Sequence, residues 1–254
     1  MEEKITLLKS PPIIEAICQI DLSLPDDLDI KSRINDFYED IKESYPERNE
    51  IPGMNLNINI NKEIKESLLS SSPVPSINRF INSDKKQIFS VFGPTNFSLS
   101  RLSPYISWEQ FQGEIVRLRR IYNKFFQPTI IKRIALRYIN NIKIPYGREF
   151  ENYFTASPKI PPNLPQSFIS FMSNIVVYEE SINAIGRIIH VFNPPPQQDN
   201  IPEFINIILD IDVYKANDKG IKEDEVEYTL EQLRLYKNKI FFGSITEKLK
   251  ETLL

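Results

Sequence analysis

The run IIKRIALRYINNIKIP, residues 130–145, constrains the fold more than any other stretch of the chain. Ile134, Leu136, Tyr138, Ile142 and Ile144 fall on one side of an extended backbone. A period of two marks a strand that buries one face, so this segment needs a sheet with a core against it. Its other side carries Arg133, Ala135, Arg137, Ile139, Asn141 and Lys143, and is neither plainly core nor plainly surface. Small Ala135 leaves room for something to approach between two arginines spaced roughly 13 Å apart along the backbone. Their side chains can converge on a phosphate or carboxylate, which makes Arg133, Arg137 and Asn141 the candidate ligand-binding residues of this face. The preferred rival is intramolecular: both arginines pair with Asp210 and Asp212 across the sheet, because a buried arginine is tolerated only when paired.

The rest of the chain supplies partners for such a strand. IIEAICQIDLSL, residues 13–24, alternates in its second half and reads as a first strand ended by Pro25. A helix follows, with Ile30, Ile34, Phe37, Tyr38 and Ile41 at helical spacing. MNLNINI (54–60) reads as a short strand, residues 61–85 as a long loop, and QIFSVFGPTNFSLSRL as one or two strands broken at Gly93-Pro94. Ser107 and Gln110 form a capping box for a helix with the apolar stripe Trp108, Phe111, Ile115, Leu118, Tyr122 and Phe125. After the opening strand come a short helical piece near REFENYF, two strands with a turn near Ser181–Asn183, and the strand FINIILDIDVY. A helix with Val226, Leu230, Leu233, Tyr236 and Ile240 on one face is expected to end at Gly243. Ser244 is then expected to cap a last helix with Leu249 and Leu253 inward.

Runs of neighbouring strands with interspersed helices predict an α+β fold with a mostly antiparallel sheet. Residues 1–127 and 128–254 have a related strand–helix–strands–helix order, as two halves or one continuous domain. The 254 residues are 41% hydrophobic and 26% charged, enough for a sizeable core. A net charge of −3 draws the chain to neither nucleic acid nor anionic lipid as a whole, so nucleic acid could bind only through a local basic patch. The start MEEKITLLKSPP lacks the apolar run of a signal peptide, and no stretch approaches the roughly 20 apolar residues of a spanning helix. A cytoplasmic protein without a membrane partner is expected.

Catalytic signals are sparse. With one histidine, His190, and one cysteine, Cys18, the usual His/Cys zinc spacing is excluded within one chain. His190 lies between apolar strand neighbours and reads as structural, and Cys18 as a small buried apolar residue. Glycine-rich phosphate loops and the nucleophile elbow are missing, so no cofactor is expected. Asp210 and Asp212 project from one strand face and could hold a hard cation or act as an acid/base pair, the basis of a metal-dependent hydrolase alternative. Between residues 113 and 148 Glu114 is the sole acid against many basic residues. Arg117, Arg120 and Lys124 form a helical ridge there, a solvated face or a contact for an acidic partner.

The segments PPIIEA, WEQF, RIALRYIN, LDIDVY and FGSITEKLKE are spread in this order over nearly the whole chain. In combination they resemble an uncharacterised, sporadically distributed prokaryotic protein family. The resemblance implies mobile loci, such as antiviral-defence or toxin–antitoxin islands, and transfers no catalytic residue. With the thin catalytic inventory, it leads to the expectation of a non-enzymatic interaction module, a partner or sensor subunit whose protein partner is encoded nearby. The alternative within binding proteins is a small-anion or nucleotide binder using the arginine-bearing strand face.

Overall fold

The computed structural model describes residues 8–51, 76–92, 95–146, 150–166, 169–192 and 203–254. The expected strand at 54–60, the start of the loop at 61–75 and the Gly93-Pro94 break lie outside the described residues. The fold is α+β: one nine-stranded antiparallel sheet with helices packed against it.

The first half runs β1 (Ile13–Ser23), α1 (Ile30–Ile41), then a meander of β2 (Glu47–Ile51), β3 (Ile77–Ile81), β4 (Gln87–Phe92) and β5 (Asn96–Leu102), then α2 (Trp108–Phe126). The second half runs β6 (Ile130–Pro145), a 3-10 turn at Phe150–Asn152, the meander β7 (Phe171–Glu179), β8 (Ala184–Phe192) and β9 (Phe204–Ile221), then α3 (Val226–Ser244) and α4 (Glu247–Leu253). The sheet order is β2-β3-β4-β5-β1-β6-β9-β8-β7. In each half the last strand of the meander returns beside the first. The two first strands, β1 and β6, pair antiparallel at the centre. The related order expected of the halves is therefore present in one continuous sheet.

The helices cover one face of this sheet. Under α1 and α2 the core is aromatic: the Tyr122 and Phe126 rings stack at 4.3 Å, and Phe97 reaches Tyr122 at 4.9 Å. Phe37 of α1 closes the cluster against Phe80, Phe89 and Phe126. Under α3 the packing is aliphatic and close. A Cβ on Gly186 would stand 2.7 Å from Ile240 Cδ1 and 2.9 Å from the Tyr236 hydroxyl, so a larger residue here would displace the ends of those two side chains.

Several expectations are corrected in detail. Phe126 rather than Phe125 completes the α2 stripe, because the i,i+4 step from Tyr122 stacks its ring. Residues 77–81 are a strand, not part of a loop. α3 runs through Gly243 to Ser244, whose hydroxyl donates back to the Ile240 carbonyl at 2.7 Å. The α4 cap is therefore Thr246, whose side-chain oxygen accepts from the Leu249 amide at 3.3 Å.

The burial of α2 can be measured. Leu118 is fully buried, so Leu118→Ala should cost about 2–5 kcal/mol. Arg120, exposed on the opposite face, should change stability by no more than about 0.5 kcal/mol when replaced by alanine. Urea denaturation of both variants checks the assignment.

Candidate functional site

The face of the sheet that the helices leave open holds the arginines of the central strand. The antiparallel register sets Arg137 opposite Ile17 of β1 and Asp212 of β9, and Ile139 opposite Glu15 and Asp210. Arg137 reaches diagonally to Asp210, donating from Nε at 2.9 Å and from a terminal nitrogen at 2.5 Å. Arg133 lies 3.6 Å from Asp21 and 3.7 Å from Asp212, with its guanidinium 4.4 Å from the Tyr214 ring centroid. Asp210 is buried and Asp212 half-buried. Burial raises the Asp212 pKa against the pull of Arg133 and Arg137. The intramolecular network is thus present, and the hydrolase alternative loses its free carboxylate pair because Asp210 gives both oxygens to Arg137.

The room expected beside Ala135 is not open. That residue is only 3% exposed, flanked in register by Gln19 and Tyr214. Asn141 shares the face; its amide donates to the Pro12 carbonyl, and its side-chain oxygen is buried without a partner among the described residues.

The basic ridge is also largely matched from within. Arg117 grips Glu114 of its own helix at 2.7 and 2.8 Å, and Glu114 also accepts from the Tyr45 hydroxyl. Lys124 meets Asp40 of α1 at 2.6 Å. Arg119, on the same helix, meets Glu223 at 2.7 Å. Arg120 stands exposed. The Lys124 and Arg119 pairs tie α2 to its neighbours, and Arg117 is matched within the helix.

The remaining candidate side chains sit in the core. Cys18 is fully buried and its thiol is pushed up to about 12 by burial, which makes it a poor nucleophile. His190 lies three strands away in the sheet order and four residues along β8 from Gly186, which is level with Cys18, so the two form no dyad.

Residue-by-residue reading missed a cavity of about 360 Å³ on the helix side of the central strands. Three separate parts of the chain wall it. Pro11–Ile13 lead into β1, Tyr105–Glu109 lead into and start α2, and Arg234, Lys237, Asn238, Phe241 and Phe242 come from α3. Tyr138 and Asn140 of β6 form its floor. The Tyr105 and Tyr138 hydroxyls stand 3.1 Å apart. Arg234 is held by Glu231 and lies 5.7 Å over the Trp108 ring. Lys237 donates to the Asn238 side chain at 2.6 Å, with its Nζ 4.0 Å from the Tyr138 ring centroid. One sequence signal was available. Val226, Leu230, Leu233, Lys237 and Ile240 share a helical stripe, so a lysine interrupts an otherwise apolar row.

No protein-family model matches the chain, and no curated protein matches it in sequence. Among the described residues no helix is long and apolar enough to cross a membrane.

Two substitutions test these environments. Arg137→Ala leaves the buried Asp210 carboxylate without its partner and should cost about 1–3 kcal/mol in urea denaturation. Adding Asp210→Asn should recover part of that loss, whereas unchanged stability in Arg137→Ala would place the pair in open solvent. His190 is buried against Phe150 and Phe154, with neither ring nitrogen hydrogen-bonded among the described residues. Burial lowers its pKa below the usual 6.5. The unfolded chain therefore takes the proton first, and stability falls as pH drops from 6.5 toward the lowered folded value. His190→Leu should remove that slope: the stability difference between wild type and variant should vary with pH below 6.5 and be constant well above it.

Proposed function

We propose that the chain is a non-enzymatic binding module whose ligand is a small organic molecule held in the cavity between its two halves. The supporting observation is the cavity itself. Its volume of about 360 Å³ falls in the range of small-ligand pockets. Its walls are mostly apolar and aromatic with a few polar groups, the usual composition of such sites. Both halves contribute, so an occupant would touch α2, α3 and the central strand together, which suits a sensor. The groups that would favour catalysis lie elsewhere: the Cys18 thiol is buried, and Asp210 is committed to Arg137. This reading moves the small-ligand site from the arginine face to the opposite side of the same strand.

A separate observation favours a protein partner. Met172, Val176 and Tyr178 share one face of the edge strand β7 and are 69%, 58% and 61% exposed. An apolar sheet edge is a surface that another chain can cover. A place for the protein in a defence or toxin–antitoxin system rests on the sequence resemblance alone.

Trp108 is the only tryptophan and lines the cavity, so its emission reports occupancy. In a screen of small organic compounds, those that fit should change that emission saturably and raise the melting midpoint by mass action. Compounds that raise the midpoint with no effect on Trp108 would bind elsewhere, and a broad screen without any hit would defeat the reading.

A further inference from the structure

We propose that the ligand of this cavity carries a negative charge that Lys237 of α3 meets; the proposal rests on the cavity being the binding site, as above. Lys237 lies beside the buried face of α3, with its ammonium over Tyr138 of the central strand. Its Nζ faces the Tyr138 ring and the Asn238 side-chain oxygen, neither of which carries charge. Among the described residues no carboxylate forms an ion pair with it. Every cation on the central strand's other side that pairs at all finds an aspartate; this one has none.

The start of α2 borders the same space. Trp108 is 8% exposed, and its indole nitrogen is buried with no hydrogen-bond partner among the described residues. Trp108 is also the first residue of α2, where the backbone amides and the helix dipole favour negative charge. An anionic group would satisfy the ammonium, while its carbon body would lie against Phe241, Phe242 and Ile13.

The charge state of the cavity follows from its walls. Tyr138 attracts the ammonium through its ring face. Burial acts the other way and is the larger effect; with the Arg234 guanidinium adding to it, the Lys237 pKa comes down to about 7. The other facing groups keep one state near neutrality. Burial pushes Tyr105 up to about 12 and Tyr138 well above its usual value. Arg234 is raised by its bond to Glu231, and hydrogen bonds from its own backbone amide and from Ser107 hold Glu109 below the usual carboxylate range. Lys237 is therefore the group that titrates. A bound anion favours its charged form, so binding and protonation strengthen each other.

The test compares octanoate and cyclohexanecarboxylate with octanamide and cyclohexanecarboxamide, following Trp108 emission from about pH 6 to about pH 9. The acids stay ionised throughout, and none of the four absorbs with tryptophan. The acids should bind more tightly than their amides, with affinity falling about tenfold per pH unit above about 7. Lys237→Arg should keep acid binding and lose the pH dependence; Lys237→Gln should lose the preference for acids. If the glutamine variant does not fold, the arginine variant decides alone. Amides that bind as tightly as the acids, or a preference for acids that Lys237→Gln leaves unchanged, would overturn the proposal and leave the cavity as a binding site. Silence of Trp108 toward all four probes and toward the wider screen would overturn both.

Discussion

The backbone pairing of β1 with β6 is the interaction on which the rest of the structure depends. It runs from Ile13↔Asn140 to Ser23↔Ile130 and joins the first strands of the two halves. Everything else grows outward from that seam. β5, β4, β3 and β2 extend the sheet on one side, and β9, β8 and β7 on the other. The pairing also sets which side chains share a face. It puts Cys18, Ile20, Leu136 and Tyr138 under the helices, and Ile17, Asp21, Arg133 and Arg137 on the opposite side. A slip of one residue would exchange the two sets and bring arginine into the aromatic core.

The two sides of β6 handle charge in opposite ways. On the open side, removing arginine and aspartate from water is compensated locally. Arg137 and Asp210 form a two-bond pair, and Arg133 is shared by Asp21 and Asp212. Such a network leaves little attraction for an outside ion. On the helix side, Lys237 is half-buried with no carboxylate paired to it among the described residues, and burial lowers its pKa. On the proposed reading, that difference separates structural electrostatics from a place where a ligand would supply what the fold lacks.

Much of the architecture was legible because long elements repeat their pattern. The alternation in β6 and the stripe of α2 with Ser107 at its start are strong local signals, and both elements form, the stripe ending at Phe126. β2 and β3 were not read. ERNEI is charged and exposed at a sheet edge, and INRFI is short, so neither shows a clear buried period. Register was partly legible: the pairing of the arginines with Asp210 and Asp212 followed from the cost of burying charge. The cavity was not, because its walls come from residues 11–13, 105–109 and 234–242, which only the packing of α2 against α3 brings together. Lys237 interrupting an apolar row was its one trace in the sequence.

The central claim is that β6 presents its ligand-binding side toward the helices and not toward the arginines. Two-dimensional NMR of the protein titrated with octanoate tests it most directly. The account predicts that the Trp108 indole N–H and the amides of Tyr138, Lys237 and Asn238 shift together and saturate. The Arg133 and Arg137 side-chain signals should stay in place. Shifts confined to Arg133, Arg137 and Asn141, with Trp108 unmoved, would contradict it and return the site to the open face of the sheet.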